Sequence, residues 1–441
     1  MARTSRLWWC QFPASLRRVV LVRLVGSFGA GGVLYLTPLV FHRAFSATAV
    51  TEGLALAALA GTAGRFASGA WLDRGRASSM PVLMAVASAA LGDLVLFSAG
   101  SVLAYSLGQL LLGLAMGLYW PAIELAVSLT SAPGGSPRGY ALARTADAAG
   151  IAAGALLGAL LAALGLIRGI YGVDLICLAA MAAVLLSRPL PAAGRPASSS
   201  AAVEPPLPVG AWIGPLLPIL LVSVVATAVP ALMQSALPLD LVRGGLARAP
   251  MAEGSGALLV GAQLLLLLLL QWPVGRWLAD RPVQRGLRLS LQAFVLGAVL
   301  LALSAFSRAA SLPLVLLAQL PLALGLAAFL PTATEAVVEL SPAASRGLAM
   351  ALFSQCFALS SLVAPLLAGR LLDAQDHGVG VWGALALACL LALPLVDAIE
   401  RHQRRSLLAV LSGADPGGRS AAAGPDILYR VGPPQADSDR S

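Results

Sequence analysis

Long apolar runs alternate with short breaks rich in Gly, Pro or Arg over nearly the whole chain. Cutting at those breaks leaves twelve runs, near 18–41, 47–71, 80–100, 102–130, 138–165, 168–187, 211–238, 251–278, 288–306, 312–339, 346–371 and 379–398. A bilayer core is crossed by about 20 helical residues at 1.5 Å each, and most of the runs reach that length. Backbone amides in lipid must find partners within their own segment, so each run is predicted to be a helix. The unbroken leucines from Leu264 to Leu270 suit a helix facing lipid or packed in a bundle. The expected fold class is therefore all-α integral membrane, with twelve transmembrane helices.

The polar landmarks between the runs repeat. Gly69, Trp71, Asp73 and Arg74 return as Gly275, Trp277, Asp280 and Arg281. Pro121 and Glu124 return as Pro331 and Glu335, and Arg138 with Gly139 as Arg346 with Gly347. Landmarks in the same order at an offset of about 207 residues mark two homologous halves, which in so apolar a chain is the sign of a transporter built from repeats. The expected organisation is an N-terminal segment 1–17, a six-helix bundle 18–187, a linker 188–210, a second bundle 211–398 and a largely disordered tail 399–441. The linker turns to Pro, Ala and Ser, as flexible connectors do. In the tail, only 401–411 is expected to form a short helix.

Composition supports the membrane class. Apolar residues make up 59% of the chain and charged residues 11%, where a soluble domain carries roughly 25% charge. The net charge of +9 comes wholly from arginine over acid, with no lysine. Most of the arginines fall on the side that holds both termini and the linker, against Arg43, Arg168, Arg243, Arg248, Arg308 and Arg370 opposite. That asymmetry predicts cytoplasmic termini. It also assigns the basic charge to topology and anionic lipid, not to nucleic acid. The four cysteines have no metal or redox spacing, and no phosphate loop, zinc motif or nucleophile elbow occurs. No cofactor, no metal and no enzymatic activity are expected.

The repeated loop motif resembles that of the major facilitator superfamily, over about 18–398. That family carries Gly-x-x-x-Asp-Arg-x-Gly-Arg-Arg after its second helix. Gly69, Asp73 and Arg74 fit, but Gly75 and Arg76 follow with one residue missing. The resemblance implies two six-helix halves related by a pseudo-two-fold axis. It also implies a latch formed by Gly69, Asp73, Arg74, Arg76 and Arg138 in one half and by Gly275, Asp280, Arg281, Glu339 and Arg346 in the other. The alternative is a loop that only enforces topology. Ser131 stands where the family often has the acid that Glu339 supplies in the second half. The arginine that proton-exchanging members carry in helix four is replaced by Gln109, and their helix-five proline by Ala155.

Ionisable groups at membrane depth are costly unless paired or solvated, so each is a candidate for the transport path. Glu124 and Glu335 lead, as proton carriers or as partners of loop arginines. Asp147 is expected to pair with Arg144, one turn away. Arg65 is expected to snorkel to the cytoplasmic face, with anion contact or gating as the alternative. Arg23 is expected at the interface. Gln109, Gln234, Gln263 and Gln355 could bond substrate or join helices, and Trp120 could face the cavity. Asp93 and Asp174 are read as structural. The remaining tryptophans, Trp212 and Trp382 among them, are read as an interfacial belt.

The resemblance implies a monomeric secondary transporter in the inner (plasma) membrane. Its partners would be a small-molecule substrate, the lipid bilayer and protons or sodium as coupling ion. Efflux of an amphipathic or drug-like compound leads, with metabolite uptake as runner-up. A non-transporting receptor or assembly factor is the alternative from another class.

Overall fold

The structure, a computed structural model, describes residues 11–131, 136–190, 209–279, 281–341 and 346–411. Among these residues are twelve helices: α1 (Ala14–Phe41), α2 (Ala47–Asp73), α3 (Ser79–Ser98), α4 (Val102–Thr130), α5 (Ser136–Ala163), α6 (Gly169–Ser187), α7 (Val209–Arg243), α8 (Glu253–Ala279), α9 (Val283–Ser304), α10 (Ser311–Leu340), α11 (Arg346–Gln375) and α12 (Val379–Leu411). Each predicted run corresponds to one of them, with five runs overrunning a helix end by one or two residues. Asp280, most of the linker, the chain before Gln11 and the tail beyond Leu411 lie outside the described residues, as do the side chains of Asp73, Arg138 and Arg346.

Among the described residues, eleven helices are long and apolar enough to cross a membrane. The exception is α2, where Glu52 and Arg65 sit among Gly, Ala and Thr and dilute the hydropathy. A second difference concerns the tail. The expected break after 398 is absent, and α12 runs unbroken over 33 residues to Leu411. Arg288 on α9 donates to Asp397 at 2.7 Å and to Glu400 at 2.7 Å, which holds the polar end of α12 against its neighbour. No Gly or Pro interrupts the chain between Pro394 and Gly413.

Local chemistry sets the helix ends. The Ser46 hydroxyl accepts from the Ala49 amide at 3.1 Å to start α2, and Ser101 accepts from Ala104 at 3.2 Å to start α4. Glycine lets helices touch. A Cβ at Gly154 on α5 would collide with the Phe28 carbonyl of α1, and one at Gly113 on α4 with the Ala57 backbone of α2. Small residues at such crossings give van der Waals contact that lipid cannot match.

The pairing of helices repeats between the halves. In the first, α1 packs on α5 and α6, and α4 on α2 and α3. In the second, α7 packs on α11 and α12, and α10 on α8 and α9. The halves meet through α2 with α11, α5 with α8 and α1 with α7. The polar links differ between the halves. Hydroxyls join α7 to α11: Thr227 donates to Ser360 Oγ at 2.8 Å, and Ser360 to the Val224 carbonyl at 2.6 Å. The corresponding α1–α5 contact is ionic.

At the end opposite the termini, the second half is tied by a buried knot. Arg248, in the α7–α8 loop, donates to Asp240 Oδ1 at 2.7 Å, to Ser304 Oγ at 2.7 Å and to the Gly244 carbonyl at 3.0 Å. Asp240 also accepts from the Gly378 amide at 2.9 Å and the Trp382 indole at 2.9 Å. Gly244 adopts φ +94°, a conformation that suits glycine. Trp382 and Trp212 are buried and do not belong to an interfacial belt, because the fold gives both a packed interior position.

Candidate functional site

The halves are joined at that same end. The Asp373 carboxylate on α11 accepts from the Ala47 and Thr48 amides of α2 at 3.0 and 2.7 Å. Arg243 on α7 donates to Asp373 at 2.6 Å. Glu253 on α8 meets Arg43 at 2.8 Å and His42 at 3.7 Å. The free amides of a helix start carry partial positive charge, so a carboxylate from the other half is well placed on them. At the terminal end, the space beside Gly69 and Gly275 is open, with no atom within 4 Å of a built Cβ.

Between the halves lies a cavity of about 170 Å³, lined from α1, α2, α4, α7 and α11. Its polar wall comprises Arg65, Gln109, Gln234, Thr37, Ser235 and Ser361, and Leu54, Met116 and Pro365 are among its apolar residues. Gln234 hydrogen-bonds with Tyr35 across α1 and α7. Gln109 is 3% exposed and its Nε2 has no partner. The structure therefore brings Arg65, Gln109 and Gln234 to one cavity. The Arg65 side chain lines the cavity from α2.

A second, more apolar cleft of about 380 Å³ runs beside it, between Ala58, Leu59 and Thr62 of α2, Val224 of α7 and Gln355, Cys356 and Leu359 of α11. Ala58 and Ala358 line both spaces. Gln355 thus faces the cleft and not the polar cavity. Gln263 is buried on α8 and lines neither.

An ion cluster fills the space between α1, α4 and α5. Arg23 is fully buried; its Nε donates to Asp147 Oδ1 at 3.0 Å and its Nη2 to Asp147 Oδ2 and to Glu124 at 3.1 Å. Ser27 donates to Asp147 Oδ1 at 3.1 Å, and Arg144 meets Glu124 at 3.1 Å. Trp120 lies under both guanidiniums, 5.3 Å from Arg23 and 5.6 Å from Arg144, in cation–π range. Two expectations are corrected here. Arg23 is interior, because acids on two other helices neutralise it. Asp147 pairs with Arg23 and not with its helical neighbour Arg144, which turns to Glu124. Two cations and two anions balance, and Glu124 is shared between two arginines. Sequence reasoning missed Arg23 as the hub; the signal available was an arginine inside the apolar stretch of α1.

Glu335 is half-buried on α10 and Glu339 exposed at its end, each with an interaction of its own. Of the latch residues, Arg74 donates to the Ala70 carbonyl at 2.8 Å, Arg76 stacks on Trp71 at 4.4 Å and Arg281 on Trp277 at 3.4 Å. Asp73, Arg138 and Arg346 as side chains, and Asp280, lie outside the described residues.

The family model described as Major Facilitator Superfamily matches residues 219–409, the second half. No curated protein matches the sequence. Among solved structures, the nucleoside transporter NupG is 12% identical at TM-score 0.70, covering 88% of this chain and 99% of its own. A peptide transporter POT in complex with sulfate is 17% identical at TM-score 0.67, covering 88% of this chain and 95% of its own. A POT family transporter in complex with 5-aminolevulinic acid is 12% identical at TM-score 0.67, covering 88% and 97%. The chain has the major facilitator fold, which these solved transporters share.

Proposed function

We propose that this chain is a secondary transporter of the inner membrane that exports a small amphipathic solute by alternating access, with both termini in the cytoplasm. One observation carries the reading: a cavity with a polar wall lies between the halves, which are tied at one end by Asp373 and Glu253. Rocking one half on the other would break those ties and open the cavity to the opposite side. The arginine asymmetry supports cytoplasmic termini. An apolar cleft beside a polar cavity favours an amphipathic cargo over a wholly polar one. The unpartnered Gln109 favours a ligand-binding centre over the sealed apolar core that an assembly factor would need.

The latch residues around Asp73 and Asp280 fit a switch that engages when the terminal end closes. Energy would come from an ion gradient. For Glu124 to carry the proton, its contacts with Arg23 and Arg144 would have to open during the cycle.

Peptide and nucleoside transporters share the fold, and they favour a second reading, uptake of a polar metabolite. Comparing metabolites inside and outside cells that lack or overproduce the protein separates the two. Export predicts a solute retained in the deletion strain and depleted in the overproducer. The reverse pattern selects uptake, and no difference for any solute would remove transport.

A further inference from the structure

We propose, resting on the transport reading above, that the cargo is an amphipathic anion: a long-chain carboxylate with its head at Arg65 and Gln109 and its chain in the cleft between α2 and α11. Arg65 has no hydrogen bond or ion pair among the described residues, and no acid lines either the cavity or the cleft. A cation at membrane depth with no counter-charge marks a functional site. The buried Gln109 Nε2, on the facing helix α4, is a second donor left without an acceptor. Buried donors seldom go unpaired. Two unfilled donors on facing helices of one cavity call for a ligand that brings acceptors and negative charge.

The apolar end follows from the second space. The cleft alone, at about 380 Å³, lies within the range of ligand pockets, about 300–1,000 Å³. It adjoins the polar cavity at the small side chains of Ala58 and Ala358, which is where one molecule occupying both would pass. Leu59 and Leu359, on its wall, are about half exposed, which leaves the cleft open along its side. A chain seated there stays against apolar surface while the head reaches Arg65. A cation of the same shape would meet Arg65 with like charge. A short anion would leave the cleft unfilled.

Binding of labelled dodecanoate to the full chain in lipid nanodiscs tests this, with empty nanodiscs as blank and dodecyltrimethylammonium and acetate as competitors. Saturable binding that neither competitor displaces is expected, weakened tenfold or more by Arg65→Gln and partly restored by Arg65→Lys. Ala358→Phe, which fills the junction without touching charge, should weaken dodecanoate as well. Displacement by the dodecyl cation, or unchanged binding in both Arg65→Gln and Ala358→Phe, would overturn the proposal. Flux in proteoliposomes separates it from the transport reading. Saturable dodecanoate binding without movement upholds the anion site and removes transport. Movement of a cationic or neutral amphipath that Arg65→Gln leaves unchanged keeps transport and overturns the anion.

Discussion

A single arginine decides how the first half holds together. Arg23 is surrounded by Asp147, Glu124 and Trp120 on two other helices. Removing one member of a buried pair strands the other charge, which costs about 3–5 kcal/mol in proteins. Asp147→Asn should therefore lower the thermal midpoint of the purified protein clearly, and Glu124→Gln less, since Glu124 is 24% exposed and Arg144 is also at hand. Equal midpoints for Asp147→Asn and the parent would show that the cluster adds nothing to stability. This cluster was not legible in the sequence. Its partners lie 101 and 124 residues from Arg23, and spacing along one helix suggested Arg144 for Asp147 instead. Gln109, Gln234 and Arg65 were legible as candidates, because polar groups in apolar runs are conspicuous. That they share one cavity depends on how α2, α4 and α7 pack, which no local pattern records.

At the scale of the element, the start of α2 is bound by a side chain from the other half. Ser46 caps it locally, while Asp373 takes two more amides across the interface. A cap of this kind is worth about 0.5–2 kcal/mol, enough to bias two conformations of similar energy. Asp373→Ala should shift the protein toward the form parted at that end. Cysteines at the exposed positions Ser46 and Gln375 can report it: their cross-linking should fall in the Asp373→Ala background. Cross-linking as efficient as in the parent would mean that Asp373 does not hold the closure. Helix existence was legible because runs of about 20 apolar residues allow little else. Helix ends were less so. The expected break in α12 followed a change in composition, whereas the helix follows Arg288 and the two acids it grips.

For the whole molecule, the repeat carried the architecture. Landmarks recurring in order predicted two halves, and the helix contacts recur in the same order. The halves have nevertheless diverged in chemistry, with charge between α1 and α5 and hydroxyls between α7 and α11. Orientation follows from the arginines alone, so it stands as a prediction. A cysteine placed at Ser199 in the linker should resist a membrane-impermeant reagent in intact cells and react after permeabilisation. Labelling in intact cells would reverse the topology. A second prediction concerns the repeated loop. Asp73→Asn should leave insertion normal and slow transport severely; full activity in that variant would reduce the loop to a topology signal.

The knot of Arg248, Asp240, Gly378 and Trp382 bears on how such a molecule could move. It fastens the α7–α8 loop, the end of α9 and the start of α12 to one carboxylate and one guanidinium, both nearly inaccessible to water. Opening it would expose several polar groups at once, so it belongs to the last parts of the structure to open. The Trp382 indole proton should then be among the slowest to exchange with deuterium, slower than the Ala47 and Thr48 amides held by Asp373. Such a difference would describe a machine whose second half turns as one stiff plate, with its play confined to the seam.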